Sequence, residues 1–183
     1  RNADITLMIH DNLIYGLTKG QYSPTSPFGF QTKTSPPPAG ALERPVNPLA
    51  LALTMEATFV ARTFAGDLRH MQAMMVAAIQ HRGAAVLDIL QPCVVFNPQH
   101  SFDYFRERVY RLDEEGYTPT DRAVAWQRAQ EWGDRIPIGV FFQERRPTYE
   151  EQVPVLREGG PLALRPFHEW TETDYREVEA EYL

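Results

Sequence analysis

Two residue types are nearly absent from this chain of 183 residues: there is one cysteine, Cys93, and among eighteen Lys and Arg only Lys19 and Lys33 are lysines. A lone cysteine excludes an internal disulfide framework and fits a reducing cytoplasm. No apolar run is long enough to cross a bilayer; the best stretch, 49–61, is short and broken by Glu56. A net charge of −6 leaves no broad basic face, which argues against nucleic acid as a partner. The first residues do not read as a signal peptide, the sequence does not open on Met, and no internal repeat is evident. The opening Arg1-Asn2-Ala3-Asp4 reads like the end of a helix and its turn, so the expectation is a start inside a longer chain. The histidines show no metal-binding spacing, and no Ser-His-Asp arrangement can be assembled from the sequence.

What is present suffices for one core. Residues 5–9 (ITLMI) form a short apolar run suited to a strand buried on both faces. Asn47-Pro48 reads as an N-cap with proline at the first helical position, opening a short helix to about Glu56. A strand is expected over 58–62 and a helix from Asp67, with Leu68, Met71, Met75, Ala78 and Ile79 on one face and Gly83 as its stop. Residues 84–90 (AAVLDIL) read as another buried strand. Strand, helix, strand in this order is a βαβ unit and implies a parallel sheet. Amphipathic helices are expected over 101–112 and 120–133, and a strand over 136–142. The stretch 147–183 is acidic and proline-broken, an arm more than a core. His70 and His81 read as surface or partner-facing, the Met71, Met74, Met75 cluster as core, and Asp88 as a buried charge needing a partner.

The stretch His10–Pro27, HDNLIYGLTKGQYSPTSP, is the richest in chemistry. It leaves the first strand at its carboxyl end, where open parallel sheets bind ligands. The Asn12 side chain and the Ile14 carbonyl are oxygen donors suited to a hard cation such as Mg²⁺. Gly16 and Gly20 allow backbone to approach a phosphate closely. Thr18, Gln21, Ser23 and Thr25 supply donors, and Lys19 a compact charge that fits a tight loop where the arginine fork does not. The plainer alternative is an Asx-turn followed by a polar surface loop. A lone cysteine such as Cys93 is, on its own, most often a small buried apolar residue.

HDNLIYGLTKGQYSPTSP, together with QPCVVFNP at Gln91–Pro98 and the later IPIGVFF and RPTYEE, resembles the β subunit of the 2-oxoacid:ferredoxin oxidoreductases, over Asp4 to about Tyr149. The resemblance implies an α/β fold: a partial doubly wound parallel sheet of the thiamine diphosphate-binding type with a C-terminal α+β extension. It divides the chain into residues 1–98, the later part of the cofactor domain, and 99–183, an extension and arm that meets another subunit. It implies thiamine diphosphate held through Mg²⁺, with Asn12 and Ile14 as metal ligands and Tyr15, Gly16, Leu17, Thr18, Lys19 and Gly20 bordering the cofactor. Leu17 would lie beside the thiazolium, where the 2-oxoacid binds. Cys93 would be the fourth thiolate of a [4Fe–4S] cluster.

The implied reaction is oxidative decarboxylation of a 2-oxoacid, with 2-oxoglutarate favoured. The acyl group passes to coenzyme A and electrons to ferredoxin. The activating glutamate is expected on an α subunit, and no residue here is an evident general base. The family's Gly-Asp-Gly segment and its other cluster cysteines do not occur within these residues. Two further readings therefore stand beside the first: a non-redox thiamine diphosphate decarboxylase subunit, and a non-catalytic interaction subunit of the same fold.

Overall fold

A computed structural model describes residues 1–160, 162–164 and 171–182. It contains two compact units, Arg1–Tyr149 and Glu150–Leu183. The first is built on a five-stranded sheet of β1 (Thr6–Asp11), β2 (Phe59–Phe64), β3 (Ala85–Leu90), β4 (Val109–Arg111) and β5 (Ile136–Gln143), in the order β1-β3-β2-β5-β4. The first three strands are parallel, β5 runs antiparallel to β2, and β4 is parallel to β5. The parallel core matches the βαβ expectation. Its mixed edge comes from residues beyond the βαβ unit, which return to pair with β2.

Side-chain alternation gives each face its own core. Phe59, Ala61, Ala85, Leu87 and Ile89 face α2 (Leu68–Gln80), packing on Met71, Met74, Met75 and Ala78. On the other face Val60 and Phe141 pack with Leu49 and Leu53 of α1 (Pro48–Thr54). Ala125 and Ala129 of α4 (Arg122–Ala129) complete that layer. Both α1 and α2 start where expected: Asn47 Oδ1 accepts from the Ala50 amide and Asp67 Oδ1 from the His70 amide. Helix α1 ends at Thr54, just before Glu56, whose φ of 61° lies in the left-handed region.

The buried face of α2 differs from the expected stripe. Leu68 and Ile79 are 68% and 63% exposed, whereas His70 is buried and bonds Thr63 at 2.8 Å through Nδ1. The Met71–Met75–Ala78 line meets the sheet, the His70–Thr63 bond fastens the first turn to β2, and both ends of the stripe point outward. The helix expected over 101–112 is α3 (Phe102–Arg106) only. Val109, Tyr110 and Arg111 instead take a place at the sheet edge, which β-branched and aromatic residues suit. Helix α4 is shorter than the expected 120–133: Asp121 caps its start with bonds to the Ala123 and Val124 amides, and it ends at Ala129.

Helix α5 (Tyr149–Gln152) begins where the first unit ends; the second contains α6 (Pro154–Gly159) and α7 (Glu172–Tyr182). Residues 161, 165–170 and 183 of the expected acidic arm lie outside the described residues. Among the described residues no helix is long and apolar enough to cross a membrane.

Candidate functional site

In register, Asp11, Leu90 and Phe64 form the carboxyl-end row of the three parallel strands. The segments after β1 and β3 therefore leave the sheet side by side. Two consecutive Asx-turns open the first segment. Asp11 Oδ1 accepts from the Leu13 amide at 3.0 Å and Asn12 Oδ1 from the Ile14 amide at 3.1 Å. Asp11 Oδ1 also accepts from the Thr25 hydroxyl at 2.6 Å, and the Ser26 hydroxyl donates to the Leu13 carbonyl at 2.6 Å. The serine-threonine stretch thus ties the loop back onto its own start.

Tyr15 to Gln21 then forms a tight reversal. The Tyr15 amide donates to the Gln21 carbonyl and the Gly20 amide to the Tyr15 carbonyl, both at 2.9 Å. Lys19 and Gly20 carry φ values of 72° and 104°, which close it. Leu17 at the tip is 98% exposed, Thr18 and Lys19 are exposed, and Tyr15 is half-exposed. The Ile14 side chain goes the other way, buried with Phe30 and Ala41. The Gln21 side-chain oxygen is buried and receives no hydrogen bond among the described residues.

The segment after β3 clasps this reversal from the side. Asn97 donates to the Asn12 carbonyl at 3.0 Å. The Phe96 ring lies 3.4 Å from where a Cβ on Gly20 would stand, and Cys93 Sγ 3.5 Å from where one on Gly16 would stand. Asn97 is itself held by His100, whose Nδ1 donates to Asn97 Oδ1 at 2.9 Å. Burial holds the His100 pKa below the usual imidazole range. His10, beside the site, pairs with Gln91 at 2.5 Å at the strand end. Asn12, Gly16 and Cys93 are therefore adjacent, while Leu17, Thr18 and Lys19 present an exposed tip.

Residues 1–89 match the family model of the thiamine pyrophosphate enzyme C-terminal TPP-binding domain. Residues 93–158 match that of the C-terminal region of the pyruvate ferredoxin oxidoreductase β chain. The 2-oxoacid:ferredoxin oxidoreductase subunit beta of Saccharolobus solfataricus is 42% identical over 164 residues, which is 84% of this chain and 53% of that protein. The chain belongs to the family of 2-oxoacid:ferredoxin oxidoreductase β subunits. Another relative, the 2-oxoglutarate oxidoreductase subunit KorB of Mycobacterium tuberculosis, is 50% identical over 107 residues, 58% of this chain and 28% of that one. The solved 2-oxoglutarate:ferredoxin oxidoreductase of Magnetococcus marinus, with 2-oxoglutarate, coenzyme A and succinyl-CoA bound, superposes with a TM-score of 0.81 at 33% identity. That match covers 98% of this chain and 58% of that chain. The chain spans about half the length of the Saccharolobus and Magnetococcus proteins.

For an oxidoreductase β subunit the donor set fits Mg²⁺ in part. The Asn12 amide oxygen accepts one hydrogen bond and keeps a second lone pair, and no donor reaches the Ile14 carbonyl among the described residues. An iron–sulfur cluster is a different case. Cys93 is a free, half-buried thiol, and the described residues hold no group of three or more His, Cys, Asp or Glu arranged for a metal. One thiolate cannot hold a cluster that takes four.

Sequence reasoning missed Asn97 as the clasp, and it missed Arg62. Arg62 is the partner Asp88 required: its Nε donates to Asp88 Oδ2 at 2.8 Å, with the two side chains 2% and 1% exposed. Burial, joined by the nearby Asp11 charge, raises the Asp88 pKa against the pull of Arg62. The available signal was an arginine in an otherwise apolar strand, level with an aspartate in the next one.

Proposed function

We propose that this chain is the part of a 2-oxoacid:ferredoxin oxidoreductase β subunit that closes over thiamine diphosphate. The reaction is oxidative decarboxylation of a 2-oxoacid to acyl-CoA and CO₂, with electrons passing to ferredoxin and 2-oxoglutarate as the favoured substrate. The observation that carries this reading is the joining of the Asn12–Gly20 reversal to the Cys93–Asn97 segment at the carboxyl end of the parallel strands. Sequence matches to a TPP-binding domain and to 2-oxoglutarate-type relatives support it.

In this reading residues 1–98 carry the cofactor side and residues 99–183 the extension that meets an α subunit. Asn12 and the Ile14 carbonyl hold Mg²⁺, and Gly16 and Gly20, which border the cofactor, let the reversal pack closely on Cys93 and Phe96. When bound, thiamine diphosphate supplies a nucleophilic carbon and an electron sink. The chain's own residues position the cofactor and exclude water. Leu17, exposed here, gives an apolar wall on the substrate side. Cys93 supplies one thiolate to a [4Fe–4S] cluster completed by cysteines elsewhere in the full-length protein, and the complex works in the cytoplasm.

Reconstitution of the full-length β subunit with its α partner tests the reading. It predicts 2-oxoglutarate- and coenzyme A-dependent reduction of ferredoxin. Decarboxylation with no reduction of ferredoxin identifies a non-redox enzyme, and absence of both identifies a non-catalytic subunit.

A further inference from the structure

A second concave site lies on the α1/α4 face of the sheet. It is a cavity of about 360 Å³ whose lining includes Arg62, Asp11, Phe28, Val46, Pro48 and Trp132. Asn12, Ile14 and Gly16–Gly20 do not line it. Its volume and its mostly apolar walls with a few polar groups are those of a small-ligand site.

Arg62 is under-used for a buried guanidinium. Its side chain is 2% exposed, yet its hydrogen bond among the described residues runs from Nε to Asp88. Nη1 is buried without a partner, as is Asp88 Oδ1, so the ion pair is one-pronged rather than bidentate. Buried donors normally find acceptors, so the unpaired Nη1 calls for an explanation. The guanidinium carbon lies 5.3 Å from the centroid of Trp132, which places an aromatic wall beside the guanidinium.

We infer that this cavity is a binding site for a small monocarboxylate with an apolar or aromatic body. Its carboxylate accepts hydrogen bonds from Arg62, and its body packs on Trp132, Phe28 and Val46. Two planar acceptor oxygens match the unpaired edge of a guanidinium. Asp11 at the margin selects against a second carboxylate on the ligand, because like charges repel at short range. Asp11 also holds the Leu13 amide and the Thr25 hydroxyl at the start of the candidate site, so an occupant would border the residue that anchors that loop.

The probe is phenylacetate, titrated calorimetrically into the complete oxidoreductase. Benzyl alcohol and benzylamine serve as bodies lacking the carboxylate. Saturating 2-oxoglutarate is present throughout, so that a carboxylate entering the substrate site does not register. Phenylacetate is expected to bind, with at least tenfold weaker binding by Trp132→Leu and no measurable binding by the double variant Arg62→Met/Asp88→Leu. That double variant leaves no buried charge unpaired, and Trp132→Leu keeps the ion pair, so one of them reports even if the other does not fold. Three outcomes overturn the assignment: no binding of phenylacetate, equal binding of benzyl alcohol, or equal affinity in wild type and Trp132→Leu. A crystal of the soaked complex with only water or a protein side chain against Arg62 does the same.

Discussion

Cys93 Sγ stands 3.5 Å from the position a Cβ on Gly16 would take, and Asn12 Nδ2 stands 3.7 Å from it. The residue proposed for the cluster and a residue proposed for the metal thus meet over one glycine. An alanine at position 16 makes ordinary contacts there, whereas the γ carbons of a valine press on the sulfur or the amide. Gly16→Val should destabilise the fold by about 1–3 kcal/mol, the usual cost of overpacking. Adding Cys93→Ala should recover part of that loss, a coupling that denaturant unfolding of the four proteins in the cycle would measure. Strictly additive effects would mean that the two segments are not in contact.

The Arg62–Asp88 pair makes an asymmetric prediction. Arg62→Met alone leaves a buried, unpaired carboxylate on β3 and should cost about 3–5 kcal/mol. Arg62→Met with Asp88→Leu removes both charges and should cost much less. Equal losses in the single and double variants would show that packing by the arginine stem, not charge, is what the position supplies.

Burial of His70 and His100 gives stability a pH dependence of definite sign. Desolvation lowers both folded-state pKa values, with Arg111 adding to the effect at His70. In the unfolded chain each titrates near about 6.5. Between the folded and unfolded values the unfolded chain binds more protons, so stability is fully present above about pH 6.5 and falls as the pH drops below it. Urea midpoints measured from pH 7.5 down to 5.5 should decline, and His70→Gln should flatten the slope. A slope unchanged by His70→Gln would contradict the burial of that ring.

Much of this fold was legible because its elements are locally self-consistent. The apolar run of β3, the Asn47 and Asp67 caps and the Asx-turns at Asp11 and Asn12 all follow from neighbouring residues; the run of β1 marks a strand, but one at the sheet edge with Ile5 and Leu7 61% and 52% exposed rather than buried on both faces. What sequence could not reveal depends on partners far along the chain. Val109–Arg111 reads equally well as helix until β5 offers an edge. The bond from Asn97 to Asn12 joins residues 85 positions apart. His70 is buried against β2, where it bonds Thr63, which a stripe of apolar residues does not reveal. The types of residue at the candidate site were readable; the contact between Gly16 and Cys93 was not.

Leu17 carries the specificity prediction. A fully exposed leucine between Gly16 and Thr18 contributes nothing to the core of this chain. If it walls the substrate space, shortening or polarising it changes the ranking of 2-oxoacids. A change of this size in a pocket wall is worth roughly 1–3 kcal/mol between substrates. Leu17→Ala and Leu17→Asn should therefore shift relative kcat/KM among pyruvate, 2-oxobutyrate and 2-oxoglutarate by about tenfold or more. A uniform loss across the panel would make Leu17 a support for the loop.

The Asn12 turn as a cofactor site is the central claim, and thiamine diphosphate affinity reads it directly. Calorimetry of the complete enzyme with Mg²⁺ should show Asn12→Ala binding thiamine diphosphate about 10–100-fold more weakly than wild type, with the thermal unfolding of the cofactor-free protein little changed. Equal affinity for the two proteins would remove Asn12 from the metal site and, with it, the reading of the opening loop.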